Sequence, residues 1–238
     1  MGKILRTYMP FIRAGIQESV AYRVNFLCFA LGNVLSSFIM YFIWHAVFLS
    51  SEGDTFMGFS METMVVYLFV SFATGILTNN SVAYAIGEDI RDGSIAMRMI
   101  KPVRFDLTLI FHEIGNSYMS LVVYIPVIIG VEIYRFAVTG SLQLNIGLFL
   151  VYLLSLFLAF LINCYFNLCF GFSAFLLKNL WGANILKDTI VGFVSGATIP
   201  LAFMPEALRS VLQFLPFASL TYTPVMIYVG MYDIQTIL

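Results

Sequence analysis

Residues 87–106 read GEDIRDGSIAMRMIKPVRFD, a stretch that is densely charged by the standard of this chain. It follows an apolar run of about residues 63–84 and precedes another of about residues 107–133. A helix needs about 20 mostly apolar residues to cross a bilayer, and each of these runs is long enough. The sequence therefore predicts two transmembrane helices joined by a charged loop.

The turn residues of this loop predict a short helix at residues 94–100. Gly93 can end the preceding helix, Ser94 can cap the next one, and Pro102 stops it. The basic residues alone would fit an ordinary loop whose positive charge fixes the topology. The combination of carboxylates, bases, a capped helix and a proline favours instead a rigid projection that a cytoplasmic partner can grip.

The composition extends the membrane interpretation to the whole chain. Apolar residues make up 61% of the 238 residues and charged residues only 11%, whereas soluble domains carry about 25% charged residues. A soluble fold of this size would expose large apolar patches. We therefore predict an all-α polytopic membrane protein that forms a single domain over residues 1–238. The sequence shows no pronounced basic tail of the kind that would indicate a nucleic-acid partner.

The apolar runs predict five transmembrane helices, at about residues 24–48, 63–84, 107–133, 146–177 and 189–203. An amphipathic helix at residues 3–20 precedes them and carries on one face Tyr8, Phe11, Ile12, Gly15 and Ile16. A basic amphipathic helix beside a span is typical of the membrane interface. Pro10 should kink this helix or mark its start.

The distribution of Lys and Arg predicts the orientation. With the N-terminus in the cytoplasm, only Arg135 and Arg209 fall on the outer side. The inner side then holds the other ten of the twelve basic residues: Lys3, Arg6, Arg13, Arg23, Arg91, Arg98, Lys101, Arg104, Lys178 and Lys187. Cytoplasmic loops carry this excess in membrane proteins, so we expect a multi-pass protein of the plasma membrane with a cytoplasmic N-terminus.

The outer segment at residues 204–224 is unlike the spans. Leu208, Val211, Leu212 and Leu215 recur at helical spacing, but Pro216 and Pro224 interrupt the run. It is too short and too broken to cross a bilayer. The pattern predicts a pair of short interfacial or re-entrant helices.

Two groups of motifs carry a resemblance to a known family. The charged loop resembles the signature loop of ABC-2 type permeases, of the small family grouped with viologen and multidrug exporters, at residues 88–91, 93 and 100–103. A second group of motifs resembles the same family's fifth span and extracellular helices. It lies at residues 195–200, 203–206, 215–217, 223–224 and 228–230. The order and spacing of these motifs run through nearly the whole chain.

The resemblance implies the type V exporter fold, with six spans and a cytoplasmic coupling helix between spans two and three. It also implies a permease dimer, homo- or heteromeric, and two separate ABC ATPase subunits. The residues that it places at the ATPase interface are Glu88, Asp89, Arg91, Ser94, Arg98 and Lys101. No apolar run supplies the sixth span before Leu238, and truncation is the simpler expectation.

The sequence contains no G-x-x-x-x-G-K-[ST] motif, so it lacks the loop that cradles nucleotide phosphates. We therefore expect that the chain is not an enzyme, that it holds no cofactor, and that ATP and Mg²⁺ are bound by the partner. We also expect no metal site, because His45 and His112 lie at different depths and no cysteine pair has zinc-ribbon spacing.

Asn163 and Asn167 lie on one face of the fourth predicted span, at i and i+4. They can line a translocation path or hydrogen-bond a neighbouring helix, and the second interpretation is favoured. The expected function is ATP-driven export of a hydrophobic or amphipathic substrate. The alternatives are a secondary transporter or channel, which would carry intramembrane carboxylates and inverted repeats, and an intramembrane protease, whose catalytic residues are not evident.

Overall fold

The computed structural model describes residues 2–50, 55–56, 58–140, 145–177 and 180–232, and these are mostly helical. The first helices are α1 (Gly2–Ala21) and α2 (Arg23–Ser50), followed by a minimal antiparallel hairpin of β1 (Thr55–Phe56) and β2 (Phe59–Ser60). The hairpin was not expected from the sequence. The predicted polar loops at residues 52–54, Ser141 and Lys178 lie outside the described residues.

The remaining helices are α3 (Met61–Thr78), α4 (Val82–Asp92), α5 (Ile95–Met99), α6 (Phe105–Asn116), α7 (Tyr118–Thr139), α8 (Ile146–Gly171), α9 (Leu180–Val194), α10 (Glu206–Phe214) and α11 (Tyr222–Val229). Single turns of 3-10 helix lie at Phe172–Phe175, Leu201–Phe203 and Ala218–Leu220. Helix α10 lies within the segment 204–224 in which the sequence predicted short helices, whereas α11 begins at its end and continues beyond it.

Four segments among the described residues are long and apolar enough to cross a membrane: Arg23–Ser50, Met61–Asp92, Tyr118–Thr139 and Ile146–Phe175. The predicted fifth span at residues 189–203 is corrected, because its helix α9 begins earlier and ends at Val194. The residues before 189 were predicted to form a loop because they include the charged Lys187. In the structure, Lys187 belongs to α9 and is buried against neighbouring helices. Hydropathy alone counted this lysine as a loop residue.

Two predicted spans are interrupted in the structure. The run expected at residues 63–84 is divided into α3 and α4 by a break at residues 79–81. The run expected at residues 107–133 is divided into α6 and α7 at Ser117, whose backbone N–H still bonds the carbonyl of Glu113. Both breaks carry Asn and Ser residues, whose side chains compete with helical hydrogen bonding.

Helix α3 lies at the centre of the fold. In the candidate span Met61–Asp92, which contains α3, 61% of the apolar stretch is buried inside the protein. The corresponding share in the candidate span Arg23–Ser50 is 6%. Tyr67 on α3 and Tyr152 on α8 are fully buried. Tyr67 donates a hydrogen bond to the Gly196 carbonyl at 2.6 Å, and Tyr152 bonds the hydroxyl of Thr74 on α3 at 3.0 Å. Helices α2, α7, α8 and α11 pack around α3. The outer faces of α2, α7 and α8 are apolar and exposed, whereas α11 has no exposed residue.

The apolar face predicted for α1 is confirmed, and it packs against α6. The two helices cross at Gly15 and Gly115, and Tyr8 stacks on Phe111 with ring centroids 5.2 Å apart. Pro10 lies inside α1, which continues through it. A Cβ atom on Gly15 would lie 2.1 Å from the carbonyl oxygen of His112, so only glycine permits this approach.

We predict that Gly15→Ala or Gly115→Ala destabilises the protein by about 1–3 kcal/mol, because each added methyl group overlaps the facing backbone. The added Cβ on Gly115 would lie 2.1 Å from the Ile12 carbonyl oxygen. The measurement is thermal unfolding in detergent. Gly130→Ala on α7 is the control, because its Cβ meets nothing within 4 Å. Equal melting temperatures for all three variants and the wild type would refute the tight crossing.

Candidate functional site

The charged loop folds as the sequence predicts, with one correction. Helix α4 ends at Gly93, which has a left-handed φ of 80°, and the short helix predicted at residues 94–100 is present as α5. Ser94 does not cap α5 with its side chain. Its hydroxyl instead donates to the Asp89 carboxylate at 3.0 Å, because that buried acceptor lies one turn back.

Asp89 is the internal anchor of α5. Asp89 is buried, with 6% of the residue exposed. Its Oδ2 lies 3.0 Å from Nε of Arg98. The same carboxylate accepts the bond from Ser94, so both ends of the α5 segment are tied to α4. The Ser94 hydroxyl thus makes a charge-assisted hydrogen bond to the Asp89 carboxylate, and Arg98 adds an ion pair to it.

The other predicted interface residues point outward. Glu88 and Arg91 are about three-quarters exposed and 3.8 Å apart, and Lys101 is exposed beyond α5. An exposed pair at this distance contributes little to stability. These three charges are therefore available to another molecule, whereas Asp89, Ser94 and Arg98 hold the segment together. Their role at an ATPase interface stays a prediction.

The loop is also tied to α1. The backbone N–H of Arg104 donates to the hydroxyl of Tyr8 at 3.2 Å, next to the start of α6. The Arg104 guanidinium binds the Asp106 carboxylate at 3.2 and 2.7 Å and lowers the pKa of that carboxyl. Asp106 stands in the first turn of α6, where a negative charge stabilises the helix dipole.

We predict that Asp89→Ala loosens α5 by about 1–2 kcal/mol, because Arg98 and Ser94 lose their shared acceptor. Hydrogen exchange measured by mass spectrometry should show faster exchange of residues 94–100. The matched control is Glu88→Ala on the same helix, which removes only an exposed pair at 3.8 Å. If both variants exchange at the wild-type rate, Asp89 does not anchor the segment.

Asn163 and Asn167 join three helices. Asn163 donates to the carbonyl of Thr78, the last residue of α3, at 3.0 Å, and Asn167 donates to Asn163 at 3.0 Å. The ammonium of Lys187 on α9 donates to the Asn167 side-chain oxygen and lies 2.9 Å from Asp188. These contacts are those of the favoured helix–helix interpretation. A role of either asparagine in a translocation path stays a prediction.

A cavity of about 670 Å³ lies where both interrupted spans break, and we name it the break cavity. Its polar lining comes from the end of α1, the start of α2, the two breaks and α9. These residues are Glu18, Ser19, Tyr22, Asn25, Asn79, Asn80, Ser81, Tyr84, Asn116, Ser117, Ser120 and Asp188. Its apolar lining residues are Phe26, Phe29 and Ile76.

A buried carboxylate stands behind the wall of the break cavity. Glu113 is 3% exposed and accepts a hydrogen bond from Ser81 at 2.6 Å and another from Asn116 at 3.4 Å. At the rim, Nε2 of His112 lies 3.1 Å from the Glu18 carboxylate. His112 thus has an acidic partner, and Glu113 has hydroxyl and amide donors.

The break cavity combines hydrogen-bonding and aromatic walls. Its described lining holds the carboxylates of Glu18 and Asp188 and no basic side chain. Ligand sites of proteins are clefts of roughly 300–1,000 Å³ with apolar walls and a few placed polar groups. This arrangement suits a molecule with an apolar body and a neutral or positively charged polar part.

Sequence reasoning missed most residues of this cavity. The signal that marks them is the clustering of Asn and Ser within apolar runs, at residues 79–81 and 116–117. Asp188 and Lys187 were assigned to a connecting loop. Pairing between residues far apart in sequence, such as Ser81 with Glu113, leaves no local pattern.

A family model described as ABC-2 family transporter protein matches residues 34–238, which is most of the chain. The matched range includes the charged loop, both breaks, α10 and α11. No curated protein matches the chain.

Proposed function

Because the chain belongs to the ABC-2 family of transporter proteins and is a multi-pass membrane protein, we propose that it is the permease subunit of an ABC exporter. Separate ATPase subunits hydrolyse ATP, and the permease moves an amphipathic substrate across the plasma membrane. The observation that carries this proposal is the break cavity, a space of ligand size between interrupted membrane helices.

The substrate class follows from the walls of that cavity. Phe26 and Phe29 offer aromatic surface, and the amides at the two breaks offer donors and acceptors. The described lining holds the carboxylates of Glu18 and Asp188 and no basic side chain. Such a lining favours a neutral or positively charged molecule. Interrupted helices are where membrane transporters build polar sites, because backbone groups there can face a cavity.

The proposed arrangement places the N-terminus and α5 in the cytoplasm. Helix α9 and the residues that follow it cross the membrane as the fifth span, and α10 and α11 belong to the re-entrant segment on the outer side. Two such permeases form the complete pathway. ATP closes the partner subunits, α5 moves with them, and the helices rock between inward and outward openings. Arg91 and Lys101 are the charges that contact the ATPase.

We predict that the chain purified from native membranes carries a protein with a phosphate-binding G-x-x-x-x-G-K-[ST] loop and ATPase activity. The double reversal Arg91→Glu with Lys101→Glu should weaken this association about tenfold or more, because two contacts become repulsive. Co-purification followed by ATP hydrolysis measures both. Arg209→Glu, on the proposed outer side, is the control and should retain the ATPase.

Normal recovery of the ATPase with the double variant would contradict the assigned interface. Absence of any ATPase from wild-type preparations would contradict the exporter itself and favour a secondary transporter or channel.

We predict that Asn79→Trp stops transport while the ATPase still associates, because the new ring fills the break cavity. Inside-out vesicles are loaded in the presence of ATP with neutral, cationic and anionic amphipathic dyes. Uptake of the neutral or cationic dyes should fall to the ATP-free background. Ile129→Trp, at an exposed apolar position of α7, adds the same ring outside the cavity and should leave uptake unchanged. Full uptake with Asn79→Trp would remove the cavity from the pathway.

A further inference from the structure

Asn184 on α9 is fully buried, and among the described residues neither its Oδ1 nor its Nδ2 has a hydrogen-bond partner. An amide side chain offers two acceptor positions and two donors. A buried polar group left unpaired costs about 1–3 kcal/mol. An amide with both ends unpaired is therefore a mark of a missing ligand.

Asn184 lines a groove of about 380 Å³ between α4, the turn after α8, and α9, which we name the α4–α9 groove. Ala174, Leu177 and Leu180 give it apolar walls, and Glu88 and Arg91 also line it. Tyr84 lines both this groove and the break cavity. The groove therefore adjoins the proposed transport site without being part of it.

One side of the groove continues onto a surface of α9 that faces away from the protein. Trp181, which lines the groove, is 65% exposed. One turn further along the same face of the helix, Ile185 is also exposed. Tryptophan is enriched at the membrane–water interface, and exposed apolar helix surface beyond it contacts acyl chains. A lipid in the groove can therefore lay its chains on α9.

We propose that the α4–α9 groove binds a phospholipid with a zwitterionic amine headgroup, of the phosphatidylethanolamine class. The phosphate accepts from Nδ2 of Asn184, and the ammonium donates to Oδ1 of Asn184 and to Glu88. A choline headgroup has no N–H to donate, and a glycerol headgroup has no positive charge for Glu88. The placement in the inner leaflet rests on the orientation proposed above, but the site itself does not require transport.

The direct test is native mass spectrometry of the purified, delipidated chain in detergent. It is titrated with phosphatidylethanolamine, phosphatidylcholine and phosphatidylglycerol of identical acyl chains. Phosphatidylethanolamine should bind tightest, and Asn184→Leu should weaken it about tenfold, the equivalent of one lost hydrogen bond. Asn33→Leu on α2 is the matched control, because the Asn33 amide already bonds its own helix at the Phe29 carbonyl.

Two further variants and probes separate the parts of the site. Glu88→Gln should remove the preference for phosphatidylethanolamine over phosphatidylcholine, since it removes the acceptor charge for the ammonium. Glu88 is exposed, so this variant does not threaten folding. Soluble phosphoethanolamine should not compete, because it lacks the chains that the apolar walls and α9 receive.

Thermal unfolding gives a second readout. Without lipid, Asn184→Leu should melt above the wild type, because it removes the unpaired amide. Added phosphatidylethanolamine should raise the melting temperature of the wild type and not that of the variant. Equal phosphatidylethanolamine affinity of Asn184→Leu and wild type would overturn the proposal. So would equal binding of the three lipids, or competition by the soluble headgroup. Transport and ATPase association are not measured here, so failure of this site leaves the exporter proposal intact.

Discussion

The structure depends on one constraint: backbone groups freed at helix breaks must find partners within the protein. In an apolar surrounding an unpaired carbonyl or N–H costs several kcal/mol. At the end of α3, Asn163 bonds the Thr78 carbonyl. Beyond α9, the backbone N–H of Tyr222 bonds the Ser195 carbonyl at 3.0 Å, and Tyr67 bonds that of Gly196. The backbone groups at the end of α3 and beyond α9 are thus paired with other helices, and α3 supplies or receives two of these three bonds.

The same constraint explains why the polar groups collect in one place. A break frees backbone groups, the Asn and Ser side chains there pair with them or with Glu113, and water or a ligand can occupy the remaining space. The two broken spans meet at one level, so their polar residues face one another across a cavity. Function in this membrane protein is therefore expected where its helices are interrupted, and the continuous apolar helices supply the scaffold around them.

The sequence predicted the elements better than their connections. Long apolar runs and the turn residues at Gly93 and Pro102 are local signals. For this reason α1, the four spanning segments and α5 could be predicted from the sequence. Breaks inside apolar runs were not, because averaged hydropathy barely changes over three residues. The start of α9 was misplaced because Lys187 is tolerated there by Asn167 and Asp188, the former twenty residues away. The outward charges of the loop were predicted, but the break cavity was not, since its members come from five segments.

The contacts also give the proposed mechanism a route from α5 to the break cavity. Asp89 joins α5 to α4, and Tyr8 joins the following loop to α1. Helix α1 cannot slide on α6 without clashing, because Gly15 and Gly115 leave no space between their backbones. A displacement of α5 would therefore carry α1 and α6 as one body. The far end of that body bears Glu18 and Asn116, which line the break cavity. In the proposed mechanism, a force applied to α5 at the cytoplasmic surface is therefore transmitted through rigid helices and changes the shape of the break cavity.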